Sequence, residues 1–121
     1  MTNDPGHPLR GEIWFVNLNS IVGSELSGRH PVLVIQNDVS NKHSPVVIVA
    51  GITSQMASRN YPHDVHIQPG ESGLDRLSRV MLNQLRTIDK QRLRRFVGRL
   101  TPEEMKQVDD AIMVSLGLEP L

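Results

Sequence analysis

Two stretches in the first half of the chain decide its fold: GSELSGRHPVLVIQ at residues 23–36 and VVIVAGITS at residues 46–54. Each joins polar residues to a continuous apolar run, which is typical of a strand buried on both faces. Gly23 and Gly28 mark the loop before the first run, and Pro31 stands at its start, where a missing N–H donor is tolerated. Two such strands in one small sheet would bring together the polar groups at their ends.

Around these strands the sequence predicts a mainly β chain with C-terminal helices. Residues 37–45 are expected to form a polar turn. Asp89 is expected to cap a short helix that ends near Gly98 and carries the apolar residues of that segment. Turn residues separate the predicted strands, which lie at residues 12–18, 32–36, 46–53, 64–68 and 80–88.

The last helix has the clearest start signal in the chain. Thr101 is predicted as its N-cap, Pro102 as its first residue and Glu104 as the partner that completes a capping box. One apolar stripe follows at helical spacing, formed by Met105, Val108, Ile112 and Leu116. Three more apolar residues lie off that stripe, either as contacts for another subunit or as scattered surface residues: Met113, Val114 and Leu118.

Composition limits the classes of protein to which the chain can belong. Its 121 residues suffice for one domain, predicted at residues 10–118 between a disordered tail at 1–9 and a short tail at 119–121. There is no cysteine, and the N-terminus lacks the pattern of a signal peptide, so we expect a soluble cytoplasmic protein. The formal net charge is zero, but residues 86–99 hold six basic side chains and one acid. That segment is either a phosphate-binding surface or a solvated helix face paired with the acids at 103–110.

The order of the motifs carries a resemblance to a known family. The pattern G-S-E-x-x-G-x-x-P-V-L-V-I followed by I-V-A-x-I-T resembles the MazF/PemK toxin endoribonucleases. RGEIWFVNL at residues 10–18 is similar to that family's first strand, and LRTIDKQRL at residues 85–93 to its last strand. The resemblance implies an SH3-like small barrel, a homodimer, and an antitoxin partner of the MazE type whose flexible acidic tail covers the groove.

The resemblance also implies a reaction and its residues. Family members are understood to cut single-stranded RNA without a metal, as the RNA's own 2′-hydroxyl attacks the adjacent phosphate. They use a threonine, here Thr53, and an arginine directly before the proline of the second strand. That position is His30 in this chain, and Arg29 comes one residue earlier. Either the loop bulges so that Arg29 reaches the phosphate, as Gly28 would permit and as we expect, or His30 has taken the role.

Further residues are expected to bind RNA. The family resemblance places Ser24 and Glu25 in a loop over the RNA, and Gln84 and Arg86 on the strand that faces the groove. Ser78 is a weaker candidate for contact with a base. Few aromatic residues are present, and Tyr61, in its loop, is the best placed to stack on a base.

Other chemistries find little support in the sequence. His63 and His66 are three apart on a predicted strand, so they should lie on opposite faces, and we expect no metal or other cofactor. Two other classes of protein stay open. One is a gyrase-binding toxin of the CcdB type, against which the non-aromatic C-terminus GLEPL counts. The other is a catalytically inactive SH3-like interaction module, which the histidine at position 30 allows.

Overall fold

A computed structural model describes residues 5–18 and 28–120 of the chain. The described part contains six strands, two α-helices and one 3₁₀ turn. In chain order these are β1 (Glu12–Leu18), β2 (Gly28–Val34), α1 (Asp38–His43), β3 (Val46–Thr53), β4 (Asp64–Ile67), β5 (Ser78–Asp89), the 3₁₀ turn (Lys90–Arg92), β6 (Leu93–Arg99) and α2 (Pro102–Ser115).

The strands form one antiparallel sheet in the order β4-β5-β3-β2-β1-β6. Apolar side chains of the central strands alternate between its two faces, as the period of a strand requires. The first cluster packs beneath α2 and contains Ile13, Leu33, Ala50, Ile52, Val65, Ile67, Leu74, Val80, Leu82, Leu100, Val108 and Ala111. The second cluster lies on the other face and contains Val16, Leu18, Val32, Val34, Val47, Val49 and Ile88. Both faces of β2 and β3 are therefore buried, which explains their continuous apolar sequence.

The start of α2 confirms the capping prediction. The Thr101 hydroxyl accepts from the backbone N–H of Glu104, and the Glu104 carboxylate accepts from the N–H of Thr101. Val108 is fully buried, whereas Leu116 is the C-cap and is exposed, so the apolar stripe ends before it. No helix of the described residues is long and apolar enough to cross a membrane.

Two segments differ from the sequence prediction. Residues 93–99, expected in a helix, form strand β6, which pairs with β1; only the 3₁₀ turn follows the predicted cap at Asp89. Pairing with β1 outweighs the local helix signal, although the β1–β6 register is interrupted at two points. Residues 37–45, expected to be a turn, contain the short helix α1. The Asn37 side chain starts α1 by accepting from the N–H of Ser40.

The sheet does not close, but it curves far enough to bring the turn between β4 and β5 against β6, which is consistent with the predicted small barrel-like shape. The turn between β4 and β5 packs closely against the backbone of β6. A Cβ on Gly98 would lie 2.1 Å from the carbonyl oxygen of Ser72, and one on Gly73 equally close to that of Val97. The two ends are in contact here, although no strand pairing joins β4 to β6 in the described residues.

Candidate active site

Strands β2 and β3 place His30 and Thr53 on the same face of the sheet. His30 lies opposite Val16 in the β1–β2 register, and Val16 belongs to the second cluster. Ile52 packs in the first cluster, so the next side chain, Thr53, points to the other face. His30 stands near the start of β2 and Thr53 at the end of β3, which is the neighbouring antiparallel strand. The imidazole and the hydroxyl therefore share one face at adjacent strand ends.

Arg29 points to the opposite face. It pairs with Asn17, and the β1–β2 register runs from Ile13 to Leu18 without a shift. The bulge that would turn Arg29 towards Thr53 is therefore absent, and the normal alternation of the strand separates the two residues. Of the two sequence alternatives, the backbone geometry favours His30.

Strand β5 carries a large bulge beside this face. Ala50 of β3 pairs with Leu85, but the next residue of β3 pairs with Met81, so three residues of β5 have no partner on β3. One of them is Gln84, which lines the adjacent pocket. The bulge thus moves a polar strand position out of the ladder and into the site.

A pocket of about 490 Å³ opens between the bulge and the loop that precedes β4. Tyr61 and His63 stack in this loop, with ring centroids 5.1 Å apart and planes at 10° to each other. Tyr61 is partly exposed, so its ring is accessible from solvent. The lining combines aromatic, polar and cationic side chains: Ala57, Ser58, Tyr61, His63, Arg79, Met81, Asn83 and Gln84.

An arginine that the sequence analysis did not identify lies directly opposite Thr53. Arg79 is the Cα partner of Thr53 in the β3–β5 register. Its Nε donates to the carbonyl oxygen of Gln55 at 2.8 Å, and its Nη1 pairs with Oδ2 of Asp64 at 2.8 Å. The Asp64 side chain is only 1% exposed and also lies 3.4 Å from Nε2 of His63. Arg79 is thus held by a buried carboxylate at the edge of the pocket.

Comparisons with known proteins agree with this fold. Residues 9–116 match the family model described as "PemK-like, MazF-like toxin of type II toxin-antitoxin system". The chain belongs to this family. It is 47% identical over 109 residues to the protein of Bacillus subtilis (strain 168) named "Endoribonuclease EndoA", covering 90% of this chain and 94% of that protein.

Solved structures of the family have the same fold. A mycobacterial endoribonuclease in complex with its cognate antitoxin matches with a TM-score of 0.77 and 26% identity, covering 94% of this chain and 99% of that chain. MazF from Deinococcus radiodurans matches with a TM-score of 0.76 and 22% identity, covering 92% and 97%, which supports the fold alone. The predicted fold class and family resemblance are confirmed.

Not all of the other predicted site residues share the face of His30 and Thr53. Arg86 is half-buried on β5 opposite Val49, so it shares the face of His30 and Thr53. Ser78 is 4% exposed and its hydroxyl donates to the carbonyl oxygen of Arg76, an arrangement that does not present it to a ligand. Two of the predicted RNA-binding residues lie outside the described residues: Ser24 and Glu25. Within the described residues, no group of three or more potential ligands could hold a metal ion.

Arg79 and Asp64 were not identified from the sequence, because their contacts at this site depend on pairing between distant strands. Residues 53 and 79 are far apart in sequence, and the bulge in β5 shifts the register between them. The predicted strand begins at Val80, after Arg79. In the structure Arg79 lies between the buried residues Ser78 and Val80, so its side chain points to the other face.

Proposed function

We propose that this protein is a metal-independent endoribonuclease that cuts single-stranded RNA and acts as the toxin of a toxin–antitoxin module, inhibiting translation. The observation that carries this proposal is the common face of His30 and Thr53, beside a pocket that contains Gln84. Membership of the toxin family and the name of the Bacillus subtilis relative support it.

In the proposed reaction the RNA supplies its own nucleophile. The 2′-oxygen forms a bond to phosphorus and loses its proton, while the bond from phosphorus to the 5′-oxygen breaks and that oxygen gains a proton. The products are a 2′,3′-cyclic phosphate and a free 5′-hydroxyl. His30 is suited to accept the first proton and return it, since an imidazole ordinarily titrates near neutral pH. The Thr53 hydroxyl donates to a non-bridging oxygen as negative charge develops.

The neighbouring pocket is the proposed binding site for the RNA. Its volume of about 490 Å³ lies within the usual range for small-ligand sites, roughly 300–1,000 Å³. Tyr61 offers an exposed ring on which a base stacks, Gln84 an amide for base edges, and Arg86 a charge for the backbone. Duplex RNA is spared, because its bases are paired and stacked and are not free to enter the pocket.

The test is cleavage of single-stranded RNA in EDTA, followed by analysis of the ends. We expect 2′,3′-cyclic phosphate and 5′-hydroxyl termini, no cleavage of single-stranded DNA, and protection at a mapped site when its 2′-hydroxyl is replaced by hydrogen. Activity lost in EDTA and restored by a divalent ion would reject the mechanism. Absence of cleavage, together with inhibition of DNA gyrase, would favour the CcdB-type alternative.

Two protein partners complete the proposal. An antitoxin of the MazE type would lay an acidic segment along the groove, where Arg79 and Arg86 supply positive charge. A second copy of the chain would cover the end of α2, where Met113, Leu116 and Leu118 are exposed. Light scattering at micromolar concentration tests the second expectation, and a monomeric mass at all concentrations would contradict it.

A further inference from the structure

The orientation of Arg29 leaves the proposed site without an arginine from β2. The pentacoordinate phosphorane carries more negative charge than the RNA backbone does at rest, and a fixed guanidinium stabilises such charge well because it donates in a planar fork. An imidazole that carries protons for the reaction is neutral during part of it. A permanent cation is therefore needed from another strand.

Arg79 meets the geometric requirement. Residues directly opposite each other in an antiparallel pair have Cβ atoms about 4.5–5.5 Å apart and share a face. Arg79 and Thr53 are such a pair, at the end of β3. Gln55 links them further, since its N–H donates to the Thr53 hydroxyl at 3.1 Å and its carbonyl oxygen accepts from Nε of Arg79 at 2.8 Å.

The hydrogen bonds of Arg79 leave donors available for a ligand. A guanidinium has five N–H donors, and within the described residues only Nε and Nη1 make hydrogen bonds. The side chain is 16% exposed at the edge of the pocket, whereas its partner Asp64 is buried. Asp64 therefore orients the group, and Nη2 makes no hydrogen bond within the described residues.

We propose that Arg79 binds the reacting phosphate in this chain and supplies the positive charge that the histidine at position 30 does not supply permanently. Asp64 is a positioning residue that fixes the guanidinium. This inference rests on the proposed endoribonuclease function. It names a residue on β5 for a role that the family resemblance assigns to β2.

The alternative is that the Arg79–Asp64 pair only fastens β4 to β5. Removing the arginine alone would leave a buried carboxylate without its partner and would destabilise the fold on either view. The informative variant is therefore the double substitution Arg79→Met with Asp64→Leu, which replaces the pair by apolar side chains of similar size. Arg94→Ala is the matched control, because Arg94 is an exposed arginine on β6 with no described ion pair.

The experiment measures single-turnover cleavage of an unstructured RNA in EDTA, together with thermal unfolding of each variant. We expect the double variant to unfold near the wild-type temperature and to cleave roughly 10²- to 10³-fold more slowly. Arg79→Lys keeps the charge without the fork and should be intermediate. Wild-type cleavage by the folded double variant would overturn the inference while leaving the proposed function intact.

Binding supplies a second readout that a merely structural role would not change. The probe is RNA carrying a 2′-deoxy substitution at a mapped cleavage site, which prevents the reaction. Loss of one phosphate contact should lower the slope of log affinity against log salt by about 0.7 for a single strand. An unchanged slope in the double variant would contradict the inference. If the wild-type protein itself fails to cut RNA, the proposed function fails first, and the phosphate role falls with it.

Discussion

The two faces of the sheet differ in the polarity of their side chains. The face beneath α2 is apolar where the first cluster packs, and the Ser115 hydroxyl of α2 donates to the carbonyl oxygen of Leu82 there. The opposite face is apolar where the second cluster packs. At the ends of its strands it carries imidazole, hydroxyl and guanidinium groups. Ile52 and Thr53 are neighbours in sequence and belong to opposite faces. A single peptide bond therefore separates a core residue from a residue of the proposed catalytic face.

The largest expected effect separates the two faces at β2. We expect His30→Ala to slow RNA cleavage by roughly 10²- to 10⁴-fold, the usual contribution of a general acid–base group. Arg29→Ala, one residue away on the other face, should cleave at close to the wild-type rate. Single-turnover rates, with thermal unfolding as the control for folding, test this. An inactive Arg29→Ala beside an active His30→Ala would mean that β2 bulges in the RNA complex.

A second comparison uses the neighbours on β3. Ile52→Ala removes buried side-chain volume beneath α2 and should lower the free energy of unfolding by about 2–5 kcal/mol. The fraction that remains folded should cleave RNA normally. Urea denaturation measures the loss of stability, and activity is then corrected for the folded fraction.

Thr53→Val is the control for that experiment, because it keeps the shape of the side chain while removing the hydroxyl. It should keep the fold and lose roughly 10²- to 10³-fold in rate. If both variants changed stability and rate together, the separation of the two faces would be refuted.

The smallest effect concerns the start of α2, which covers the apolar face. Thr101→Ala removes the N-cap acceptor and should cost about 1 kcal/mol of stability. RNA cleavage should not change, since the cap lies on the side away from His30 and Thr53. Thr101→Ser, which retains the hydroxyl, should stay close to the wild type. A change in cleavage rate without a change in stability would show that the two faces are coupled.

Local rules predicted the parts of the molecule that depend on nearby residues. The capping box of α2 involves residues three apart, and the continuous apolar composition of β2 and β3 predicts two buried strands. The helix expected after Asp89 was wrong because β6 owes its conformation to pairing with β1, some eighty residues earlier. Arg79 was missed for the same kind of reason, since the role proposed for it depends on its register with Thr53.

The candidate site could be predicted only in part. Thr53 was identified from its motif, and its face follows from simple alternation. The choice between Arg29 and His30 depended on whether β2 bulges, which the glycine before them permitted but did not decide. The bulge that does occur lies in β5, in a segment whose sequence alternates too little to reveal it.

Strand β6 has a further consequence for the behaviour of the protein in solution. It forms one end of the sheet, with Arg94, Arg95 and Arg99 exposed along it. An unpaired strand edge is a template on which other chains can add, and aggregation begins readily at such edges. Repeated positive charge makes that addition unfavourable, because two copies of the strand would repel each other. The arginines that were expected on a helix face should therefore disfavour the addition of another strand at this edge of the sheet.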